Sequence, residues 1–120
     1  MPARILIVED STLVTDAFSI LFSETGYDVD VAATVAEAIE RGTASTADIM
    51  LLDLSLPDGS GLEVLEALRE RGVQPRVTLA MTGHDDAKTR RTCLEAGCAE
   101  VLLKPFPIGD LLRHIQRHLA

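Results

Sequence analysis

Tryptophan is missing from this chain, and aromatic residues of any kind make up only 3% of its 120 residues. A buried core must therefore be aliphatic, and the 47% hydrophobic content is enough to build one. Basic excess is missing too. Eleven Lys and Arg stand against 19 Asp and Glu, for a net charge of -8. That balance argues against a nucleic-acid-binding surface, which needs clustered cations to neutralise phosphates. It argues equally against a polybasic membrane contact. No apolar run approaches the roughly 20 residues that span a bilayer. The opening MPARILIVED lacks the charged and apolar regions of a signal peptide. Repeats, low-complexity tracts and linkers are absent. The expectation is a cytoplasmic protein forming one domain over residues 1–120.

Cysteine is scarce. Cys93 and Cys98 lie five residues apart, and on one helix they would point to different faces. The spacing argues against a disulfide or a metal pair and for two small, reduced, partly buried side chains.

Strand-like and helix-like segments alternate from end to end. RILIVE at 4–9 is a short apolar run ending in an acid. Val14, Phe18, Leu21 and Phe22 give helical spacing over 12–24, and Gly26 stops that helix. Strand patterns follow at 27–32, 48–53, 76–82 and 100–103. Thr34 caps a helix running to about Arg41, Leu62, Leu65 and Leu68 mark another over 61–71, and Asp85 or Asp86 caps a third that ends near Gly97. Ile108, Leu111, Leu112, Ile115 and Leu119 form one apolar helix stripe. These are five β-α units. Strands that read as continuous apolar runs are buried on both faces, so the fold class is α/β with a parallel sheet. Such a sheet binds ligands outside the carboxyl ends of its strands.

Those ends carry chemistry. The first strand delivers Glu9 and Asp10, the third Asp53, the fourth Thr82, and the fifth Lys104 followed by Pro105. Asp10 is also a candidate cap for the helix beginning near Ser11 or Thr12. Three carboxylates in one cleft repel, by ~4 kcal/mol for a pair at ~4 Å and an effective dielectric near 20. A hard divalent cation such as Mg²⁺ offsets that repulsion, and Lys104 offsets part of it.

The motifs VED at 8–10, DLSLPDGSG at 53–61, MTG at 81–83 and EAGCAEVLLKPF at 95–106 are short, but their order and spacing are specific. Together they resemble the receiver domains of two-component response regulators, along the whole chain. The resemblance implies a doubly wound, flavodoxin-like (βα)5 fold with five parallel strands in the order 2-1-3-4-5. It implies Asp53 as phosphoacceptor from a histidine kinase or histidine phosphotransfer protein. Mg²⁺ would be held by Glu9 through metal-bound water, by Asp10 and Asp53, and by the backbone carbonyl of Ser55. Thr82 and Lys104 would meet phosphoryl oxygens, and a cis peptide before Pro105 would aim Lys104 inward. The product, an acyl phosphate, is energy-rich and hydrolysable, which suits a transient signal. The domain would then be a signalling module rather than an enzyme, passing its state to an unknown output domain or target protein.

The sequence departs from the family at two points. Val101 stands where an aromatic ring is usual, three residues before the Lys, so the usual pairing of hydroxyl and ring movement is not available. Ser55 and His84 occupy the variable rim positions. His114 stands where an Arg often joins an acid–arginine dimer network that here would use Glu100 and Asp110, which argues against that form of homodimer. His114 and His118 have the i, i+4 spacing of a zinc pair without an evident third ligand, and read as helix C-terminal cations. Two other function classes compete. A Mg²⁺-dependent phosphatase with an Asp nucleophile would want a second Asp two residues after Asp53, where Ser55 stands. A flavodoxin-like cofactor carrier would want hydroxyls, not the acids of VEDSTLV, after its first strand.

Overall fold

The computed structural model describes residues 2–84 and 86–119. The elements are β1 (Arg4–Val8), α1 (Thr12–Glu24), β2 (Asp28–Ala32), α2 (Val35–Ala44) and β3 (Ile49–Asp53). There follow β4 (Ser55–Leu56), β5 (Gly59–Ser60), α3 (Gly61–Glu70), β6 (Val77–Thr82), α4 (Ala87–Ala96), β7 (Glu100–Leu103) and α5 (Ile108–Leu119). Five strands form one parallel sheet in the order β2-β1-β3-β6-β7, which is 2-1-3-4-5 when only its own strands are counted. β4 and β5 form a separate antiparallel hairpin, with Ser55 opposite Ser60 and Leu56 opposite Gly59.

Alternation along the strands divides the aliphatic core between two layers. Leu6, Val8, Met50, Leu52 and Ala80 pack with Ala38, Val64, Leu65, Leu68 and Cys93 of α2, α3 and α4. Ile5, Ile7, Ile49, Leu51, Leu79 and Met81 pack with Phe18, Phe22, Leu111 and Ile115 of α1 and α5. All five residues of β3 are buried, as a central strand covered on both faces requires. No helix among the described residues is long and apolar enough to cross a membrane.

Helix ends are set locally. Ser11, not Asp10, caps α1, its Oγ accepting from the Val14 amide at 3.4 Å. Thr34 caps α2 by accepting from the Glu37 amide, and the Glu37 carboxylate accepts from the Ala33 amide, one residue before the cap. Asp86 caps α4 through the Thr89 amide at 2.7 Å, while Asp85 lies outside the described residues.

The cysteine reading needs correction. α4 stops at Ala96, and Gly97 at φ +110° reverses the chain. The Cys98 amide then donates to the Cys93 carbonyl at 3.0 Å, a Schellman closure that turns both side chains into the same core layer. Cys98 is not on the helix, so helical spacing does not separate the pair. Both thiols are free and buried.

Candidate functional site

The carboxyl ends of β1, β3, β6 and β7 meet on one rim. Glu9 follows β1 and is 3% exposed, while Asp53 ends β3 and is 6% exposed. Acids so deeply placed need partners, and Lys104 supplies one. Its Nζ lies 3.0 Å from Glu9 Oε1 and 3.0 Å from Asp53 Oδ2. The remaining oxygens are satisfied by the backbone. The Asp10 amide donates to Glu9 Oε2 at 3.0 Å, and the Ser55 amide donates to Asp53 Oδ1 at 3.1 Å. Asp10 is exposed at the mouth, free of the capping task that Ser11 performs.

Glu9, Asp53 and Lys104 titrate apart. Burial pushes the Glu9 carboxyl up from 4.5 to about 7, and its hydrogen bond with Asp53 adds to the rise. Burial would raise Asp53 as well, but the bonds from Glu9, the Ser55 amide and Lys104 outweigh it and hold Asp53 below its usual value. Burial would lower Lys104, but its bonds to Glu9 and Asp53 prevail and hold it above the usual value. At neutral pH the site thus contains an ionised Asp53, an ammonium at Lys104, and a Glu9 poised to release a proton.

One carboxylate oxygen from each of Glu9, Asp10 and Asp53 lies within 4.8 Å of the others. That set of hard oxygen donors fits a small divalent cation such as Mg²⁺. Thr82 is buried at the end of β6, and its hydroxyl accepts from the His84 amide at 3.1 Å. The Lys104 amide donates to the Thr82 carbonyl at 2.7 Å, which sets the two ends side by side. The Lys104–Pro105 peptide is cis. The His84 side chain is exposed, and Val101 is buried in the α2–α3–α4 core layer.

Gly61 makes the close approach behind Asp53 possible. A Cβ there would overlap the Asp53 carbonyl oxygen and press on Leu52. Gly61→Ala is expected to lose about 2 kcal/mol of stability from this overlap. Urea unfolding followed by circular dichroism checks it, and an unchanged midpoint would show that the loop yields without cost.

Beside the rim, between α1 and the segment after β7, lies a mainly apolar hollow of about 450 Å³. Val14, Phe18, Met81 and Phe106 line it, Glu9 and Lys104 form its inner edge, and Leu13 at 83% exposed stands at its border.

Two features escaped the sequence reading. The i, i+4 histidines do have a third neighbour. Glu100 Oε2 lies 3.0 Å from His114 Nδ1 and 2.6 Å from His118 Nε2, and Arg117 reaches both carboxylate oxygens at 3.0 Å. Burial would raise Glu100, but these contacts, led by His118, hold it below its usual value. Asp110 pairs with Arg113 one turn along the same helix. Both acids that such a dimer network would use are therefore paired within the chain. The second feature is Asp58. It sits at the hairpin tip and bonds the N-terminus of α2, 23 residues upstream. An acid in a Pro-Asp-Gly turn was the only signal, and nothing in it names the partner.

Comparison with known proteins follows the same lines. Residues 5–116 match the family model described as response regulator receiver domain. The transcriptional regulatory protein TrcR of Mycobacterium tuberculosis is 34% identical over 115 residues, covering 96% of this chain and 44% of that protein. The TorCAD operon transcriptional regulatory protein TorR of Escherichia coli is 34% identical over 119 residues, covering 99% and 51%. The chain thus spans about half the length of these curated relatives. A CheY-like receiver domain protein from Methanospirillum hungatei superposes with a TM-score of 0.90 at 31% identity, over 99% of this chain and 94% of that one. With its sheet order and matched length, the chain belongs to the receiver domain family of two-component response regulators.

Proposed function

We propose that this chain takes a phosphoryl group onto Asp53 and so switches the binding of a partner. The observation that carries the reading is the placement of Asp53. Its carboxylate is ionised, fixed by Lys104 and the Ser55 amide, and clustered with oxygens of Glu9 and Asp10. Glu9, Asp10, Asp53 and the Ser55 carbonyl would hold Mg²⁺, which supplies charge neutralisation for the incoming phosphoryl oxygens. Asp53 attacks phosphorus. The new bond is carboxylate O–P, and the bond broken is the donor's N–P, or O–P for a small acyl phosphate donor. Lys104 and Thr82 then meet the phosphoryl oxygens. The Thr82 hydroxyl can donate its own proton to a phosphoryl oxygen while still accepting from the His84 amide, so its movement carries the loop containing Gly83 with it.

The donor is a histidine kinase or histidine phosphotransfer protein. The receiver of the signal is an output domain or a separate target protein. The domain works in the cytoplasm as one unit over residues 1–120. Nucleic acid is not its own ligand, given the net charge of -8. Incubation with acetyl phosphate and Mg²⁺ tests the reading by intact-protein mass spectrometry. One phosphoryl group is expected, mapped to Asp53 and prevented by a chelator. Labelling that is indifferent to the chelator, or that maps to a serine or threonine, would sink it.

A further inference from the structure

We propose that Asp58 is a positioning residue, clamping the tip of the β4–β5 hairpin onto the first turn of α2 and thereby fixing Ser55 at the rim. The proposal rests on the reading of Asp53 and Ser55 given above and extends it to a residue outside the acid cluster. Asp58 Oδ1 accepts from the Val35 amide at 2.7 Å, and Oδ2 accepts from the Ala36 amide at 3.1 Å. A carboxylate at a helix N-terminus makes charge-assisted bonds and meets the positive end of the helix dipole. The Val35 amide, first among these contacts, holds the Asp58 carboxyl below its usual value.

The clamp matters because the hairpin is small. β4 and β5 contribute two residues each, and so short a ladder has little stability of its own. At its base, the Gly61 amide donates to the Leu54 carbonyl at 3.0 Å, and the Ser55 amide donates to Asp53. At its tip, the long-range side-chain bonds are those of Asp58. Ser55 lies between base and tip, presents its amide to Asp53, and carries the carbonyl that the proposed function assigns to Mg²⁺. Tethering both ends restricts both groups, whereas tethering the base alone leaves the carbonyl free to swing.

α2 has other acceptors at its start besides Asp58. Thr34 accepts from the Glu37 amide at 3.1 Å, and Glu37 accepts from the Ala33 amide at 3.0 Å. This provides the control. Asp58→Ala and Thr34→Ala each remove bonds from one helix end, but only the first releases the hairpin.

Mg²⁺ binding by isothermal titration calorimetry, melting by circular dichroism, and the rate of labelling by acetyl phosphate should be measured on wild type, Asp58→Ala, Asp58→Asn and Thr34→Ala. Both alanine variants should melt at lower temperature. Asp58→Ala should bind Mg²⁺ about ten-fold more weakly, the scale of losing an outer support of a metal site. Thr34→Ala should bind it as wild type does. Asp58→Asn keeps one acceptor oxygen and should fall between. Should Asp58→Ala fail to fold, the same comparison is made with Asp58→Asn, whose affinity must be lower than that of Thr34→Ala. Equal affinity in the Asp58 and Thr34 variants overturns the proposal, because Asp58 would then be a helix cap and nothing more. Wild-type protein that binds no Mg²⁺ overturns the function reading itself, and this inference with it.

Discussion

Asn in place of Asp53 will take up no phosphoryl group from acetyl phosphate, a loss of at least about three orders of magnitude in labelling rate. The substitution changes little in shape. The carboxamide oxygen can still accept from the Ser55 amide, which is 3.1 Å from Asp53 Oδ1, and Lys104 still has Glu9 at 3.0 Å. What is lost is the proposed anionic nucleophile and one of the three acids available to a metal. Intact-protein mass spectrometry on the folded variant checks the result. Melting curves beside wild type separate loss of chemistry from loss of fold. If the variant labels at the wild-type rate, the phosphoacceptor is another group, and Asp10, exposed at the same mouth, would be the next to replace.

The second large effect is on pH dependence. In metal-free buffer, the folded state will lose stability as pH rises from about 4.5 to about 7. The cause is Glu9, whose carboxyl is raised from 4.5 to about 7 chiefly by burial. Between those values the native state holds a proton that the unfolded chain has released, so unfolding is favoured with each step upward. Stability from this group is therefore complete below 4.5 and lost as pH passes through 7. The shift corresponds to about 3 kcal/mol. Asp53 and Lys104 act elsewhere. The Asp53 contribution, from a lowered pKa, is present above 3.8 and disappears only in stronger acid. The Lys104 contribution, from a raised pKa, persists until alkaline pH. Denaturation profiles of wild type and Glu9→Gln, recorded across this range, isolate the effect as a difference. Millimolar Mg²⁺ should flatten the wild-type slope, because a cation favours the ionised carboxylate and stabilises the state that binds it. An identical slope in Glu9→Gln would assign the titration to other groups.

The elements were legible in the sequence because each carries its own punctuation. α1 runs from Thr12 to Glu24 as its periodicity and Gly26 require. Thr34 announces α2, and the apolar stripe of α5 spans Ile108 to Leu119. Strand ends moved inward by a residue at Glu9, Tyr27, Asp48 and Arg76, where residue pairing in the ladder stops. The acids of the rim were legible because they follow strands, and strand ends in a parallel sheet come together. What could not be read was contact between loops. SLPDGS is made of turn residues and gave no sign of a two-residue ladder. The bond from Asp58 to α2 depends on how two loops stack above the sheet, and the meeting of Glu100 with His114 and His118 depends on how α5 crosses β7. The cysteine reading reached two free, buried thiols on a premise that failed for a local reason: a left-handed glycine between the two residues ends the helix on which it relied.

That glycine-centred turn bears on how this protein can be followed in solution. Without tryptophan, the chain has no strong intrinsic fluorophore to report its opening. The two thiols can take that part. Cys93 is wholly buried and Cys98 is 5% exposed. Burial raises both, and it pushes Cys98 up to about 12. A sulfur that is neither ionised nor reachable does not react with an alkylating reagent. Molecules that open lose both protections together. At reagent concentrations where alkylation outpaces reclosing, the rate at which Cys93 and Cys98 are consumed therefore reports the opening rate of the α4–β7 corner.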